Sequence, residues 1–221
     1  MSSFRFTEQK AVSLRHRIAD DIRRAVYEGK LKPGDRLLEL EMSKQMGVSR
    51  GPIREAFRVL EQEGLLHSHP FKGTVVAEFT TEEVVNILIP IRLTVETYAM
   101  RKALTTFTED DFVFLEQCKE NMRVSGEKND VPKLVANDLA FHEYIVTQSQ
   151  VPNLMNIWSS IITRIRLHFY MQDQHFEDIT MVWRQHQSLI DTMRTGDVEL
   201  ACTELGRHIH DNNLQTLGPY L

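Results

Sequence analysis

Four side chains in the C-terminal half have the chemistry of metal ligands. Asp138 and His142 are four residues apart in a helical pattern, which places a carboxylate and an imidazole on one face. His186 and His208 each lie near the apolar stripe of a later helical segment, so an antiparallel bundle could bring all four together. One Asp and three His suit a divalent ion such as Zn²⁺, Ni²⁺, Mn²⁺ or Fe²⁺. The spacing alone leaves a second interpretation open, in which each histidine is a hydrogen-bonded core residue.

A second set of residues, in the N-terminal half, has the chemistry of DNA contacts. Arg50 and Arg54 are four residues apart, so they share one face of a helix. Arginines at the start of such a helix can fork onto guanine O6 and N7 in the major groove, and Ser49 can take a phosphate. Gly51 leaves room for a close approach. From spacing alone, the alternative is an ordinary solvated charged face.

The composition is that of a globular chain whose positive charge comes first. Its 221 residues, 42% hydrophobic and 26% charged, predict two domains with proper cores. The net charge is −5, yet residues 1–79 hold 14 Lys and Arg against 11 Asp and Glu. No apolar run approaches the roughly 20 residues of a membrane helix, no signal peptide is evident, and cysteines are few. We expect a cytoplasmic protein with no membrane partner.

The pattern around the arginines predicts a small DNA-binding domain over residues 1–79. Helical periodicity indicates a first helix over residues 11–28, a short second helix that ends at Gly47, and a third that begins after Ser49 and ends near Gly64. Strand-like segments then flank a polar tip, which predicts a β-hairpin. Three helices plus a β-hairpin wing make a winged helix-turn-helix.

Residues 80–221 show only helical periodicity. The TTEE sequence at 80–83 is typical of a capping box at a helix start. Later breaks delimit about six helices and fall near residues 106–108, 125–130, 150–153, 173–177 and 195–197. The expected fold is therefore mainly α, with the winged helix-turn-helix followed by an all-α antiparallel helical bundle over residues 80–221.

A long ordered set of motifs in the N-terminal half resembles one known family. The motifs are LKPGDRL at 31–37, GVSRGPIREAF at 47–57, LEQEGL at 60–65 and PFKG at 70–73. They resemble the winged helix-turn-helix of the GntR family of transcription regulators. The resemblance implies a double-stranded DNA operator as partner, and its contacts would come from Ser49, Arg50, Gly51 and Arg54 and from the wing residues Lys72 and Gly73. Because relatives of this type pair two copies, it also implies a homodimer on a palindromic operator.

The C-terminal half resembles the FCD domain, the all-helical ligand sensor of the FadR-type subfamily of GntR regulators. The resemblance covers residues 81–213, and its motifs are Ile91-Arg92 with Glu96, DLAFH at 138–142, RQH at 184–186, Gly196-Asp197 with Ala201, and Arg207-His208. It implies that Asp138, His142, His186 and His208 coordinate a divalent cation. It further implies that Arg92 anchors an anionic effector, a small organic acid. Arg164 is a second candidate for effector binding, with a solvated role or a role between the domains as the alternatives.

These observations predict a ligand-responsive transcription regulator, with repression as the expected action, and not an enzyme. A metal-dependent enzyme is the rival from another class, because three His and one Asp could activate water. His142-Glu143 begins an HExxH motif, but Val146 stands where the second histidine would be. A third possibility is that the metal is itself the regulatory signal.

Overall fold

The computed structural model describes residues 14–69, 73–171 and 179–217. Lys72, expected at the wing tip, lies outside the described residues. The described chain is mainly α-helical with one small sheet, as expected from the sequence.

Three helices and a sheet make up the N-terminal unit. Helix α1 (Leu14–Tyr27) buries an apolar stripe, α2 (Glu39–Met46) is short, and α3 (Arg50–Gln62) packs across α1. Helix α2 ends at Gly47, whose φ of 65° is the left-handed conformation that favours glycine at a helix end. The tight turn between α2 and α3 places the first residues of α3 at the surface.

The wing contains one more strand than the sequence predicted. Strands β2 (Leu66–His69) and β3 (Gly73–Val76) form the expected antiparallel hairpin, and β1 (Arg36–Leu37) pairs with the other edge of β3. The extra strand forms because the turn before it brings the chain back to β3, where the backbone N–H of Val76 donates to the carbonyl of Asp35. A two-residue strand is too short to leave a period-2 pattern in the sequence.

Six long helices form the C-terminal bundle in the described part of the chain. A short α4 (Thr81–Glu83), capped by the Thr80 side chain, continues through one π-helical turn (Val84–Leu88) into α5. The long helices are α5 (Ile89–Ala103), α6 (Glu109–Glu127), α7 (Val131–Gln148), α8 (Leu154–Met171), α9 (Val182–Arg194) and α10 (Val198–Leu217). Helix α7 is central and packs against α5, α6 and α8. Among the described helices, none is both long and apolar enough to cross a membrane.

Each unit has its own hydrophobic core, and α8 reaches both. One core is built from residues of the bundle, and the other from residues of the winged helix-turn-helix. Leu167 of α8 is buried in the second core, with 1% of its surface exposed. Tyr170 of α8 stacks on Tyr27 of α1, with ring centroids 5.3 Å apart. Helix α8 therefore joins the bundle physically to the winged helix-turn-helix unit.

Candidate metal centre and nucleic-acid interface

The four expected metal ligands meet inside the bundle. Asp138 and His142 project from α7, His186 from α9 and His208 from α10, and all four side chains are buried. One ligand atom from each lies within 4.8 Å of the others. The Nε2 atoms of His142 and His208 are 3.2 Å apart, and Nε2 of His186 is 3.3 Å from Oδ1 of Asp138.

Hydrogen bonds behind the cluster fix the orientation of two imidazoles. Nδ1 of His142 donates to Oε2 of Glu96 at 2.6 Å, and Nδ1 of His186 donates to the Val182 carbonyl at 2.8 Å. A neutral imidazole that donates from Nδ1 presents a lone pair at Nε2. Both rings therefore point a metal-ligating nitrogen into the cluster, as ligating histidines do in metal proteins.

The electrostatics favour the protonation states that bind a cation. Burial lowers the pKa of His142 and of His208, and the neighbouring histidines lower the pKa of His208 further, so these rings stay neutral. Burial alone would raise the pKa of Asp138, but the nearby His186 and His142 hold it well below its ordinary value. The cluster thus combines the ionised carboxylate of Asp138 with the neutral rings of His142 and His208, and metal binding requires this protonation state.

Unsatisfied atoms show that the cluster is incomplete with protein groups alone. Oδ2 of Asp138 and Nε2 of His186 are buried and have no hydrogen-bond partner among the described residues. Leaving such an atom unpaired costs about 1–3 kcal/mol. Donor atoms around an ion with bonds of about 2.0–2.2 Å lie roughly 3–4 Å apart, and the His142–His208 and His186–Asp138 separations of 3.2 and 3.3 Å fall within this range. The donor set therefore fits a divalent cation.

Arg92 lies beside the cluster and is almost fully buried, with 2% of its surface exposed. Its Nε donates to Oε1 of Glu96 at 2.5 Å, and its guanidinium lies 5.8 Å from the ring centre of Phe169. No hydrogen bond of its two terminal nitrogens is recorded within the described chain. Burial alone would raise the pKa of Glu96, but Arg92 and His142 lower it, so a carboxylate bridges the arginine and the cluster.

The role of Glu96 was missed in the sequence, although a signal was present. Its carboxylate binds Arg92 with one oxygen and His142 with the other. The i,i+4 spacing from Arg92 predicts the first contact. The contact between Glu96 and His142 joins residues that are 46 positions apart, so spacing within one helix cannot indicate it.

Arg164 occupies the junction between the two units, and its contacts are not with the metal-ligand cluster. Its guanidinium donates to the Gly64 carbonyl at 2.8 Å and to the carboxylate of Glu83, and it lies 4.1 Å from the ring centre of Phe79. These contacts correspond to the interdomain alternative. An effector contact by Arg164 stays a prediction, and three of its N–H donors are already engaged within the protein.

The two recognition-helix arginines lie at the surface and share a single acidic partner. Arg50 and Arg54 are 56% and 53% exposed, and both donate to the carboxylate of Glu39 in α2 at 3.0 to 3.3 Å. The hydrogen bond from Arg54 lowers the pKa of Glu39, against the opposing effect of burial. Ser49 and Gly51 flank Arg50 and are exposed. A Cβ at Gly51 would meet no described atom within 4 Å, so the approach to this helix end is open.

The wing adds one more cation, which the sequence interpretation missed. Gly73 begins β3 with a φ of 74°, a conformation in which glycine is favoured, and it is exposed. A Cβ at Gly73 would lie 3.6 Å from Nε of Arg36, because β1 is the third strand of the sheet. Arg36 could not be placed there without knowing that β1 exists.

Comparison with known families identifies the class of this protein. The profile described as "Bacterial regulatory proteins, gntR family" matches residues 14–76, and the FCD domain profile matches residues 88–211, more than half of the chain. The chain belongs to the GntR family of DNA-binding transcriptional regulators and carries an FCD domain. Both matched domains are regulatory rather than enzymatic.

Individual relatives extend over most of the chain. It is 28% identical over 197 residues to the uncharacterized HTH-type transcriptional regulator YdhC of Bacillus subtilis, covering 87% of this chain and 86% of that protein. It is 27% identical over 196 residues to the HTH-type transcriptional repressor RspR of Escherichia coli, covering 86% and 83%. The solved structure of E. coli McbR/YncC has the same fold, with a TM-score of 0.80, 22% identity, and 96% and 100% coverage.

Proposed function

We propose that the protein is a repressor whose affinity for a palindromic operator is controlled by a small carboxylate bound next to a divalent metal ion. The observation that carries this proposal is the set of four buried ligand atoms within 4.8 Å, of which two lack a partner among the described residues. The similarity to RspR, a transcriptional repressor, supports the direction of regulation.

Asp138, His142, His186 and His208 would hold the metal ion. When bound, it supplies a positive centre with coordination positions for an oxygen of the effector. The protein supplies the orientation: Glu96 and the Val182 carbonyl keep the two donor nitrogens turned inward. The same buried surroundings strengthen attraction for an anion, because water is excluded.

Arg92 would hold the effector carboxylate. Only its Nε is committed to Glu96 within the described chain, so its terminal nitrogens remain available as paired donors for a carboxylate. A guanidinium buried beside an aromatic ring is already oriented, which reduces the entropy lost when the anion binds.

Helix α8 would carry the signal to the DNA-binding unit. One of its faces lies toward the sensor through Phe169, and another inserts Leu167 into the winged helix-turn-helix core. Arg164 of the same helix binds the carbonyl of Gly64, which lies two residues after the end of α3. An effector regulates only if it binds one arrangement of these contacts better than another.

The DNA half of the proposal assigns base contacts to Arg50 and Arg54 and phosphate contacts to Ser49 and the wing. One such unit reads a half-site, so a palindromic operator needs two copies. Exposed apolar residues along the outer face of the first bundle helix support a homodimer: Ile87, Ile91 and Tyr98 follow one stripe and are 52%, 36% and 46% exposed.

Elemental analysis of protein purified without a chelator tests the metal centre. We expect about one equivalent of a divalent metal in wild-type protein and a loss of that metal in His142→Ala and His186→Ala. Replacement of His67, an exposed wing histidine, is the matched control and should change nothing. Wild-type protein without metal under replete conditions, or full retention by both cluster variants, would contradict the proposal.

Operator binding by purified protein tests the palindromic operator, the carboxylate effector and the homodimer. We expect footprinting to protect an inverted repeat, and a small carboxylate to change the affinity of the metal-replete protein. Release of DNA on chelation, with no response to any carboxylate, would instead favour the metal as the signal. A monomeric mass together with protection of a single half-site would contradict the dimer.

A further inference from the structure

One buried histidine of the bundle is not among the metal ligands and has no assigned role. His168 of α8 is only 3% exposed, and its Nε2 is shielded from solvent with no hydrogen-bond partner among the described residues. Folded proteins rarely leave such an atom unpaired, because the loss of its hydrogen bond to water is not replaced. A group from outside the chain is therefore expected to meet this nitrogen.

His168 lies in the space between Arg92 and the domain junction. It precedes Phe169, whose ring faces the Arg92 guanidinium at 5.8 Å, and its own ring is edge-on to Phe79 at 6.3 Å. Among the described charged groups, Arg92 is the one that acts on the His168 imidazole electrostatically. The terminal nitrogens of Arg92 and Nε2 of His168, none of which has a hydrogen bond to a described residue, therefore belong to side chains close enough to interact electrostatically.

The charge state of His168 limits the chemistry of its partner. Burial and the positive charge of Arg92 lower the pKa of His168 to about 4, so the ring is neutral near pH 7. A carboxylate binds more strongly to the charged guanidinium of Arg92 than to a neutral imidazole. A hydroxyl group both donates and accepts, so it can satisfy Nε2 of a neutral imidazole in either tautomer.

We propose that Nε2 of His168 binds a hydroxyl group of the effector, so that the sensor recognises hydroxylated carboxylic acids in preference to their deoxy analogues. This inference rests on the proposed function, since it takes the effector carboxylate to be held by Arg92 beside the metal. His168 is then a specificity-determining residue, because a site built to bond a hydroxyl rejects an analogue that lacks it.

The position of His168 also connects this recognition to the DNA-binding unit. Its neighbour Leu167 is buried in the winged helix-turn-helix core, and its ring contacts Phe79 between the two units. A hydroxyl bound at His168 therefore acts on the same turn of α8 that anchors the DNA-binding unit.

The test compares acids that differ only in hydroxyl groups remote from the carboxylate. Full-length protein reconstituted with Zn²⁺ is titrated by calorimetry with glycerate against lactate, and with gluconate against 2-hydroxyhexanoate. Both members of each pair keep a 2-hydroxycarboxylate, so chelation of the metal contributes equally. The variants are His168→Phe, which keeps a ring but removes both nitrogens, and His168→Gln, which keeps a hydrogen-bonding group.

We expect wild type to prefer the more hydroxylated acid of at least one pair by about tenfold, the value of one hydrogen bond. His168→Phe should lose this preference while it still binds Zn²⁺ and the less hydroxylated acid, and His168→Gln should keep part of it. An unchanged preference in His168→Phe, or no preference in wild type, would overturn the role of His168 alone. If none of the acids binds wild type at millimolar concentration, the carboxylate sensor itself is wrong and this inference falls with it.

Discussion

The arginines of the two units are placed in opposite environments. Arg50 and Arg54 are more than half exposed and share the carboxylate of Glu39, whereas Arg92 is 2% exposed and holds Glu96 inside the bundle. Exposed ion pairs are worth about 0–1 kcal/mol, so phosphates and bases can replace Glu39 at little cost. A buried pair cannot be broken without leaving an uncompensated charge. Arg50 and Arg54 can therefore exchange Glu39 for DNA groups, whereas Arg92 keeps its ion pair with Glu96.

The same contrast extends to the polar atoms that lack a partner. At the DNA face, water can satisfy any side chain that DNA does not. In the bundle, Asp138, His186 and His168 present shielded atoms without a partner among the described residues. Unsatisfied atoms in a buried site indicate that a ligand completes it, whereas exposed charge alone indicates only a possible surface for binding.

The largest effect is expected on Zn²⁺ affinity when the buried carboxylate of Glu96 is replaced. Glu96→Gln should weaken Zn²⁺ binding about 10–100-fold, because the amide cannot orient His142 as a carboxylate does and leaves Arg92 without a counter-charge. Competition with a chromophoric chelator measures the change. Glu199→Gln, an exposed glutamate paired with Arg101, is the control and should bind Zn²⁺ like wild type. Equal affinities of all three proteins would show that Glu96 does not support the cluster.

A comparable effect is expected on operator affinity when an exposed arginine of the recognition helix is removed. Arg54→Ala should cost about 1–3 kcal/mol in specific operator binding, since a bidentate contact to guanine would be lost. Arg101→Ala removes the same charge from α5 of the bundle and controls for the change in net charge. If Arg54→Ala matched Arg101→Ala at several salt concentrations, α3 would not be the recognition helix.

Burial of the His168 imidazole should make the free energy of unfolding depend on pH. The unfolded chain protonates His168 near pH 6.5, but the folded chain does so only near pH 4, so the unfolded state binds more protons between these values. The free energy of unfolding must therefore fall as the pH is lowered through this window. Between pH 7 and pH 4.5 we expect His168→Phe to lose about 2 kcal/mol less than wild type. Urea unfolding at both pH values measures the difference, and identical losses would mean that His168 titrates normally.

The smallest effect is expected at Glu39. Glu39→Gln removes the negative charge that both recognition arginines share, so non-specific DNA affinity should rise and the slope of log K against log salt should steepen by about one. Binding to random-sequence DNA at several salt concentrations tests this. Glu41→Gln, which changes an exposed acid of the same helix, is the matched control. A slope that changes equally in both variants would assign the effect to net charge alone.

The elements could be predicted because each leaves a local pattern, whereas the contacts that connect them could not. The helices of both units, the wing hairpin and the Thr80 cap follow from periodicity and capping residues. The cluster followed from resemblance, since spacing alone left a core role for its histidines. Arg164 binds a carbonyl 100 residues away in sequence, and nothing local to either residue indicates that contact. Long-range pairing of this kind depends on how α8 packs, which short-range patterns do not encode.

We propose that occupancy of the buried cluster controls the affinity of the exposed face for DNA. The direct measurement is the operator dissociation constant of Zn²⁺-replete wild-type protein with and without each acid that binds it, alongside Arg92→Lys. We expect at least one acid to change the wild-type constant by about 5- to 150-fold, a coupling of about 1–3 kcal/mol. Arg92→Lys should respond less, because lysine lacks the paired donors of a guanidinium. If an acid bound the bundle and left the operator dissociation constant unchanged, occupancy of the cluster would not control DNA binding.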